Sequence, residues 1–350
     1  GEIKFVDLNP EIKKRIKKVI KKSPNMAGKL NSNGEHIIDL KNPSPGPHFY
    51  VNLLLGNRIG FPYPLQTTPK SVVDCLGRGS LRSHADFQVL ATRWDFRPEE
   101  NGFPANRQFY LVENGKKIFY SGCVNDPNFK SGYCVHSQNL TTIVVNTKCG
   151  LRIVRKIFLL PQYQGLPLAT EVQRIEIFNM SKRQRRLKII TIGMFGSSVP
   201  HALMEDVLYS NIIMQFRLLK DENGGILAIG DNYYPENWKT DERFYTIIIR
   251  DKNGNRLATE FCTNYNELVG NGTLENPSGI FTLSNKLNRR GPGFFALGGN
   301  LCIEPDEKGM IDTFTGVVSK KGNPEYSDNS YSKEIHSLLM KFSKDDAVEK

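Results

Sequence analysis

Short β-rich runs follow one another along most of this chain, and no long helical pattern interrupts them between Pro47 and Lys321. β-Branched and aromatic residues dominate these runs, and turn residues separate them at the spacing of about 8–12 residues that is typical of all-β sandwiches. The predicted strands are residues 87–94, 108–112, 117–120, 140–145, 151–158, 171–178, 188–195, 212–219, 226–230, 244–250, 279–283, 293–304 and 310–318.

The pattern within these runs predicts how the strands pair. Ile153 and Ile157 alternate with charged residues, as expected of a strand with one buried and one solvated face. Asn114-Gly115 predicts a tight hairpin between two runs, and residues 251–254 (DKNG) close another strand. Parallel pairing would require crossover helices, which the sequence lacks. The fold class is therefore all-β, with one large antiparallel double-sheet super-sandwich rather than two separate domains.

The two ends of the chain differ from this body. Residues 13–22 (KKRIKKVIKK) place Ile and Val at helical spacing, which predicts a short amphipathic helix, and a stiff proline-rich stretch follows at residues 42–47. Residues 332–342 predict a second helix, capped by Ser332. Its apolar face is suited to docking on a partner and consists of Ile335, Leu338, Leu339 and Phe342.

These features predict three parts. Residues 1–47 form a basic helix with a proline-rich lead-in, residues 48–325 form the super-sandwich, and residues 326–350 form a C-terminal linker or docking helix. Short helices thus flank the sandwich at both ends.

Charge suggests nucleic acid at first sight, since 47 basic and 36 acidic residues give a net charge of +11. Much of the excess lies in residues 13–22 and in residues 182–186 (KRQRR). We interpret the first as a solvated helix face and the second as the tip of a hairpin. Neither accompanies a zinc finger, helix-turn-helix or aromatic RNA-binding motif, so nucleic acid is the less favoured partner.

The six cysteines have no CxxC spacing, so neither a zinc site nor a redox motif is predicted. No apolar run reaches the length of about 20 residues that spans a bilayer. The first residues lack the apolar segment of a secretion signal. We therefore expect a cytoplasmic protein without a membrane partner.

A search for catalytic residues nominates none. The six histidines contain no i, i+4 pair and flank no nucleophile motif. Residues 77–79 and 291–293 are glycine-rich but lack the length and the Lys of a phosphate-binding loop. No pair of acidic residues stands out as a glycosidase pair. We expect no catalytic residue, no metal and no bound cofactor on this chain.

Aromatic residues beside polar ones give the best indication of function. An aromatic face stacks on the C–H face of a sugar, and neighbouring polar groups hydrogen-bond its hydroxyls. The competing interpretation is that Trp94 belongs to the core and that Trp238 anchors a loop. The candidate carbohydrate-binding residues are Arg93, Trp94, Asp95, Tyr233, Tyr234 and Trp238.

The order of motifs resembles the N-terminal super-sandwich of glycoside hydrolase family 94, over about two-thirds of the chain. An Arg/aromatic strand lies at residues 91–96, an Arg-x-x-Tyr-x-x-acid strand at 107–113 and a Ser-Gly turn at 118–122. A strand that ends in Phe-x-x-Pro follows at 150–161, and a strand followed by Asn, Ser and a basic turn at 169–186. Two closing strands lie at 294–297 and 315–318.

This family comprises inverting phosphorylases of cellobiose, cellodextrins, chitobiose and β-1,2-gluco-oligosaccharides, with the related region of cyclic β-1,2-glucan synthases. The resemblance implies a galactose mutarotase-like sandwich whose catalytic acid and phosphate-binding residues lie on a separate α/α-barrel. It thus implies a non-catalytic subunit or fragment that binds a β-linked gluco-oligosaccharide and assembles as a homo- or hetero-oligomer. Inorganic phosphate would be the co-substrate of the assembled enzyme.

Two other hypotheses stay open. The chain could be a stand-alone carbohydrate-binding module without a catalytic partner. It could also be a mutarotase-like sugar epimerase, which needs a His and a Glu in one cleft. The body histidines available for that role are His84, His136 and His201.

Overall fold

The computed structural model describes most of the predicted sandwich, and strands dominate the described residues. These are residues 28–41, 50–53, 59–60, 66–67, 69–83, 106–123, 125–137, 139–160, 169–195, 214–220, 225–232, 242–288, 293–318, 337 and 341. The predicted N-terminal helix (residues 13–22) lies wholly outside them. Ser337 and Lys341 have helical backbone, and the rest of the predicted C-terminal helix also lies outside the described residues.

Twenty-one strands are present in the described part of the chain. In chain order they are β1 (Lys29–Leu30), β2 (His36–Asp39), β3 (Tyr50–Leu53), β4 (Ile59–Gly60), β5 (Gln66–Thr67), β6 (Pro69–Val73), β7 (Gly79–Ser83), β8 (Gln108–Glu113), β9 (Lys116–Tyr120), β10 (Phe129–His136), β11 (Leu140–Thr147), β12 (Leu151–Leu159), β13 (Ala169–Asn179), β14 (Arg185–Met194), β15 (Met214–Lys220), β16 (Ile226–Asn232), β17 (Glu242–Asp251), β18 (Gly254–Leu257), β19 (Glu260–Cys262), β20 (Phe294–Ile303) and β21 (Lys308–Val318). One short helix, α1 (Tyr265–Val269), and a 3-10 turn (Ser278–Ile280) complete the described elements.

Two sheets form the sandwich. The large sheet has the order β1-β2-β10-β11-β12-β13-β21-β17-β16-β15, with β18 on β17. The five-stranded sheet has the order β19-β20-β14-β8-β9. A three-stranded sheet, β3-β6-β7, and the small pair β4-β5 accompany them. Neighbouring strands run antiparallel in every pair that the described residues form, which confirms the predicted all-β antiparallel super-sandwich.

The core lies between the two main sheets. Phe109 and Leu111 of β8 and Leu297 of β20 face Ile153 of β12 and Ile175 of β13. These side chains are almost completely excluded from water, and each contributes about 1.5–3 kcal/mol by its burial. The period-2 alternation read from residues 151–158 places the core face of β12 correctly.

A second apolar cluster lies on the outer face of the five-stranded sheet. Tyr110, Ile190 and Phe294 project from that face, and α1 covers them with Leu268. The 3-10 turn adds Ile280 to the same cluster. The segment that contains α1 and the 3-10 turn therefore covers one part of the outer face.

The prediction of a strand at residues 279–283 is wrong. The chain forms the 3-10 turn there, after Pro277. Ile280 and Leu283 are both buried on the five-stranded sheet. Their separation of three residues matches the period of a 3-10 turn, whereas a strand would place them on opposite faces.

The interpretation of residues 182–186 as a hairpin tip is also wrong. This turn connects β13 in the large sheet to β14 in the five-stranded sheet, and the two strands do not pair with each other. Arg185, moreover, is buried rather than solvated. The chain crosses between the sheets here because residues on both sides of the turn contribute to the core.

The hairpin predicted at Asn114-Gly115 is confirmed. Glu113 of β8 pairs with Lys116 of β9, which leaves a two-residue loop. Asn114 has φ 50° and Gly115 has φ 70°. Positive φ at both central residues defines a type I′ turn, whose twist matches that of the strands.

We expect Gly115→Ala to lower the free energy of unfolding by about 1–2 kcal/mol, because a Cβ disfavours the left-handed backbone. No atom lies within 4 Å of where that Cβ would be, so the cost is conformational rather than steric. Urea denaturation measures it, and Lys116→Ala, an exposed neighbour with ordinary backbone, is the control. Equal stability of the two variants would contradict the left-handed conformation of Gly115.

Candidate functional site

The residues predicted to bind sugar lie outside the described part of the chain. Residues 93–95 fall in the undescribed range 84–105, and Tyr233, Tyr234 and Trp238 fall in the range 233–241. The apolar docking face of the C-terminal helix (Ile335, Leu338, Leu339, Phe342) lies outside it as well. All of these assignments stay predictions.

An open cleft of about 930 Å³ lies on the outer face of the five-stranded sheet, beside the segment that contains α1. Strand β14 forms part of its floor with Arg186 and Lys188. Lys188 pairs in register with Asn300 of β20 and with Val112 of β8, and Arg186 pairs with Cys302. The cleft is therefore the part of the outer face that the α1 segment leaves uncovered. We call it the outer cleft.

Two hairpin turns and one aromatic residue form the sides of the outer cleft. Asn114 and Gly115 contribute the turn after β8, and Lys252 and Asn253 contribute the turn after β17. Phe281 closes a third side with a side chain that is 42% exposed. Since a tight hairpin fixes each turn, the shape of the cleft follows from the register of the strands.

Most of the cations of the outer cleft have carboxylate partners. Lys188 is 2.6 Å from Glu260, and Lys252 pairs with Glu304. Arg256 is 2.7 Å from Asp251. Arg186 differs, because among the described residues its guanidinium hydrogen-bonds the Gln184 side chain, at 3.2 Å, and forms no ion pair of its own; it interacts electrostatically with Glu304, the partner of Lys252. The four cations of the cleft therefore share three carboxylates, which leaves one positive charge in excess.

Asp251 organises the hairpin side of the outer cleft. Its carboxylate accepts two hydrogen bonds from Arg256 and others from the backbone amides of Asn253 and Cys302. Burial by itself would raise the pKa of Asp251, but these hydrogen bonds, that from Arg256 first, lower it overall. Asp251 thus connects the β17 turn, β18 and β20.

We expect Asp251→Asn to lower the free energy of unfolding at pH 7 by about 1–3 kcal/mol, because Arg256 loses its charged partner. A carboxylate with a lowered pKa contributes stability that is complete above its unfolded pKa of about 3.9 and is lost as the pH falls through its folded pKa. The difference between wild type and variant should therefore shrink below about pH 4. Urea denaturation between pH 7 and pH 2.5 measures it, and a constant difference would contradict the role of Asp251.

A buried ion pair, Arg107–Glu171, connects β13 to the start of β8. The two side chains form two hydrogen bonds, of 2.5 and 2.9 Å. Arg107 also donates to the carbonyl oxygens of Val72, at 3.0 Å, and Gly77, at 3.3 Å, and Ser71 donates to Glu171. The pair thus binds the three-stranded sheet to both main sheets.

Arg155 lies behind this pair as a second buried cation. Its guanidinium donates to the carbonyl oxygens of Leu76 and Arg107 and to the side-chain oxygen of Gln173. Burial, followed by the charge of Arg107, lowers the pKa of Arg155 to about 9, so it stays charged at neutral pH. The alternation in β12 predicts that Arg152 faces solvent, and Arg152 is exposed. The burial of Arg155 is not among the predictions from the sequence.

Removing one partner of a buried ion pair leaves an uncompensated charge, which typically costs about 3–5 kcal/mol. We therefore expect Glu171→Gln to lower the free energy of unfolding by about that amount. Chemical denaturation measures it against Glu307→Gln, an exposed carboxylate, which should change stability by less than about 0.5 kcal/mol. Equal effects would contradict the structural role of the pair.

Two further carboxylates of the described residues are also committed to structure. Asp312 holds Arg174 through two hydrogen bonds on the outward face of the large sheet, and Glu113 holds Arg185 in the same way. Among the described residues, Lys252 lowers the pKa of Glu304, and Ser284 with Lys286 lowers that of Glu267. A general acid requires the opposite shift.

His136 and Cys134 lie close together, as the base and the nucleophile of a cysteine enzyme do, but they are not a catalytic pair. Their Nε2 and Sγ atoms are 3.5 Å apart, and Nδ1 of His136 contacts the Thr141 hydroxyl at 2.9 Å. Both side chains are fully buried, and burial raises the pKa of the Cys134 thiol far above its ordinary value. A thiol of this kind is inert rather than reactive.

No group of three or more His, Cys, Asp or Glu suited to a metal ion occurs among the residues that the structure describes. Within the same residues, no helix has the length and the apolar character that crossing a bilayer requires.

The architecture is that of a large antiparallel double-sheet super-sandwich, and this fold defines the class of the protein. Residues 83–344 match the family described as glycosyl hydrolase 94, supersandwich domain. Because this match covers most of the chain, the chain belongs to that family. The resemblance of the motifs from residue 91 onward is thereby confirmed.

Several solved structures are similar in part. A protein described as a kojibiose phosphorylase from the human microbiome is 10% identical, with a TM-score of 0.39; the match covers 85% of this chain and 29% of that one. A protein described as an aldose 1-epimerase from Klebsiella pneumoniae is 9% identical, with a TM-score of 0.32 and coverage of 89% and 96%. The 4-alpha-glucanotransferase from Thermococcus litoralis is 9% identical, with a TM-score of 0.29 and coverage of 77% and 40%.

This chain thus spans less than a third of the kojibiose phosphorylase chain. No curated protein sequence matches it.

Sequence reasoning missed the outer cleft and the buried arginine network. Arg107 stood in a recognised motif, yet its role depends on Glu171, which lies 64 residues further along the chain. Arg186 and Lys188 alternate on β14, which is a usable signal for a shared face. The interpretation of residues 182–186 as a solvated turn hides this signal, because it separates Arg186 from the strand that carries Lys188.

Proposed function

We propose that this chain is the non-catalytic β-sandwich part of an inverting phosphorylase that acts on β-linked gluco-oligosaccharides. Catalysis would take place on a separate α/α-barrel chain or domain, with inorganic phosphate as co-substrate. The sandwich would contribute sugar binding and would hold a homo- or hetero-oligomer together. Membership of the family 94 super-sandwich is the observation that carries this proposal.

The arrangement of carboxylates supports a non-catalytic role. Inverting glycoside chemistry needs a carboxylic acid that stays protonated near neutral pH. Among the described residues, Glu171, Asp312 and Glu113 each form an ion pair with an arginine. Their oxygen atoms are engaged in structural contacts, so these carboxylates are not placed to contact a substrate.

The sugar-binding role rests on aromatic residues beside polar ones. We propose that Arg93, Trp94, Asp95, Tyr233, Tyr234 and Trp238 contact the oligosaccharide. Tyr233 and Tyr234 directly follow β16, a strand of the large sheet next to β17. Because β16 pairs with β15 and β17, it would fix the start of the segment that carries these aromatic residues.

We also propose that the assembled enzyme is cytoplasmic. All six cysteines are free thiols, although the chain has an even number of them. Proteins of oxidising compartments commonly use such residues in disulfides, whereas cytosolic proteins keep them reduced.

The epimerase hypothesis gains no support from His136, because its ring is buried and held by Thr141. An epimerase would have to use His84 or His201. Absence of epimerase activity in the purified chain would dismiss this hypothesis, and intact activity after alanine substitution of all three histidines would dismiss a role for them.

The purified chain alone should show no phosphorolysis of cellobiose or β-1,2-gluco-oligosaccharides, and addition of an α/α-barrel chain should restore it. Release of glucose 1-phosphate is the measurement. Phosphorolysis by the isolated chain would contradict the proposal. Sugar binding by the chain without restoration by any barrel would favour a stand-alone carbohydrate-binding module.

A matched pair of variants tests the docking helix. Ile335→Asp with Leu339→Asp places charge on the predicted apolar face and should abolish restoration. Ser337→Asp with Lys341→Asp alters two exposed helical positions and should leave restoration intact. Equal behaviour of the two double variants would contradict docking through this face.

A further inference from the structure

We infer that the outer cleft binds an oligosaccharide that carries an anionic group, with Arg186 as the residue that binds the anion. This inference goes beyond the proposed phosphorylase role, because the binding site lies wholly on this chain and needs no barrel. It rests on the charge, the size and the surface chemistry of the cleft.

The charges that line the outer cleft indicate a ligand with a single negative charge. Lys188, Lys252 and Arg256 are each neutralised by an acidic partner. Arg186 forms no ion pair of its own among the described residues and shares Glu304 electrostatically with Lys252, so the cleft keeps one positive charge in excess, and Arg186 is exposed at the floor. A guanidinium binds one carboxylate or phosphate through two parallel hydrogen bonds. The cleft is therefore suited to a ligand with one anionic group rather than to a dense polyanion.

The volume of the outer cleft excludes a small anion as the whole ligand. At about 930 Å³ it lies near the upper end of the range of about 300–1,000 Å³ that accommodates organic ligands. An inorganic anion would leave most of this space filled with water. A chain of several sugar units would occupy it.

The other lining groups are those that a sugar needs. Asn114, Asn253 and Asn300 contribute side-chain amides, which both donate and accept hydrogen bonds as hydroxyl groups require. Phe281 presents an exposed ring on which an apolar sugar face can stack. Lys188 donates to the backbone carbonyl of Phe281 at 2.9 Å, which fixes the segment that carries this ring to the cleft floor.

A pair of tetrasaccharides that differ by one carboxylate tests the inference. Cellotetraonic acid has a carboxylate at one end, and cellotetraose is its neutral counterpart. Isothermal titration calorimetry of the purified chain at low salt should show binding of the acid and at least about tenfold weaker binding of the neutral sugar, as loss of one charged hydrogen-bond pair implies.

Two substitutions locate the binding. Arg186→Gln should weaken binding of cellotetraonic acid about tenfold, and Phe281→Ala should weaken it about fivefold, by loss of a charged hydrogen bond and of ring stacking. The matched controls lie on the large sheet: Arg152→Gln removes an exposed arginine, and Tyr133→Ala removes a ring of similar exposure, 40%. Both controls should leave binding unchanged.

Three outcomes would overturn the inference. One is the absence of binding, or equal binding of the charged and the neutral sugar. Another is an equal affinity of Arg186→Gln and Arg152→Gln. The third is binding of tetraglutamate as tight as that of cellotetraonic acid with no effect of Phe281→Ala, which would make the cleft a site for acidic peptides. None of these measurements depends on phosphorolysis, so they do not test the phosphorylase role.

Discussion

The Arg107–Glu171 ion pair is the interaction on which the sandwich most depends. Arg107 has φ 66°, an unfavourable value for a residue with a side chain, and its guanidinium is buried. Its side chain binds β13 and the three-stranded sheet, while its backbone carbonyl accepts hydrogen bonds from Arg155 and Gln173. Desolvating these charges is costly, and only near-complete hydrogen bonding offsets it. The same residue therefore fixes how both main sheets meet.

The cost of burying a charge distinguishes the charges that serve structure from those that are available for binding. Charges that face the interior are held in closed networks, in which Arg155 and Glu171 are surrounded by protein donors and acceptors. On the outer face of the five-stranded sheet, the α1 segment covers only part of the surface. Polar groups on the uncovered part keep contact with water. Ligand binding is therefore favoured there, whereas the buried pairs serve stability.

Local patterns predicted local structure well and long-range pairing poorly. Alternation identified the core face of β12, and Asn114-Gly115 identified a hairpin, because both signals act between near neighbours. The strand β10 was missed, since the residues at its centre, such as Gly132, have low strand propensity; it is held by β2 and β11. Which sheet each strand joins depends on contacts between distant residues. The outer cleft could not be predicted for the same reason.

Arg185 and Arg186 show how far this limitation extends. The two adjacent residues looked equivalent in a basic cluster, yet Arg185 is buried against Glu113 and Arg186 lines the outer cleft. Successive residues of a strand point to opposite faces, so the start of β14 at Arg185 decides both outcomes. A shift by one residue would place Arg186 inside and remove its charge from the cleft. The different surroundings of these two arginines thus follow from strand register rather than from net charge.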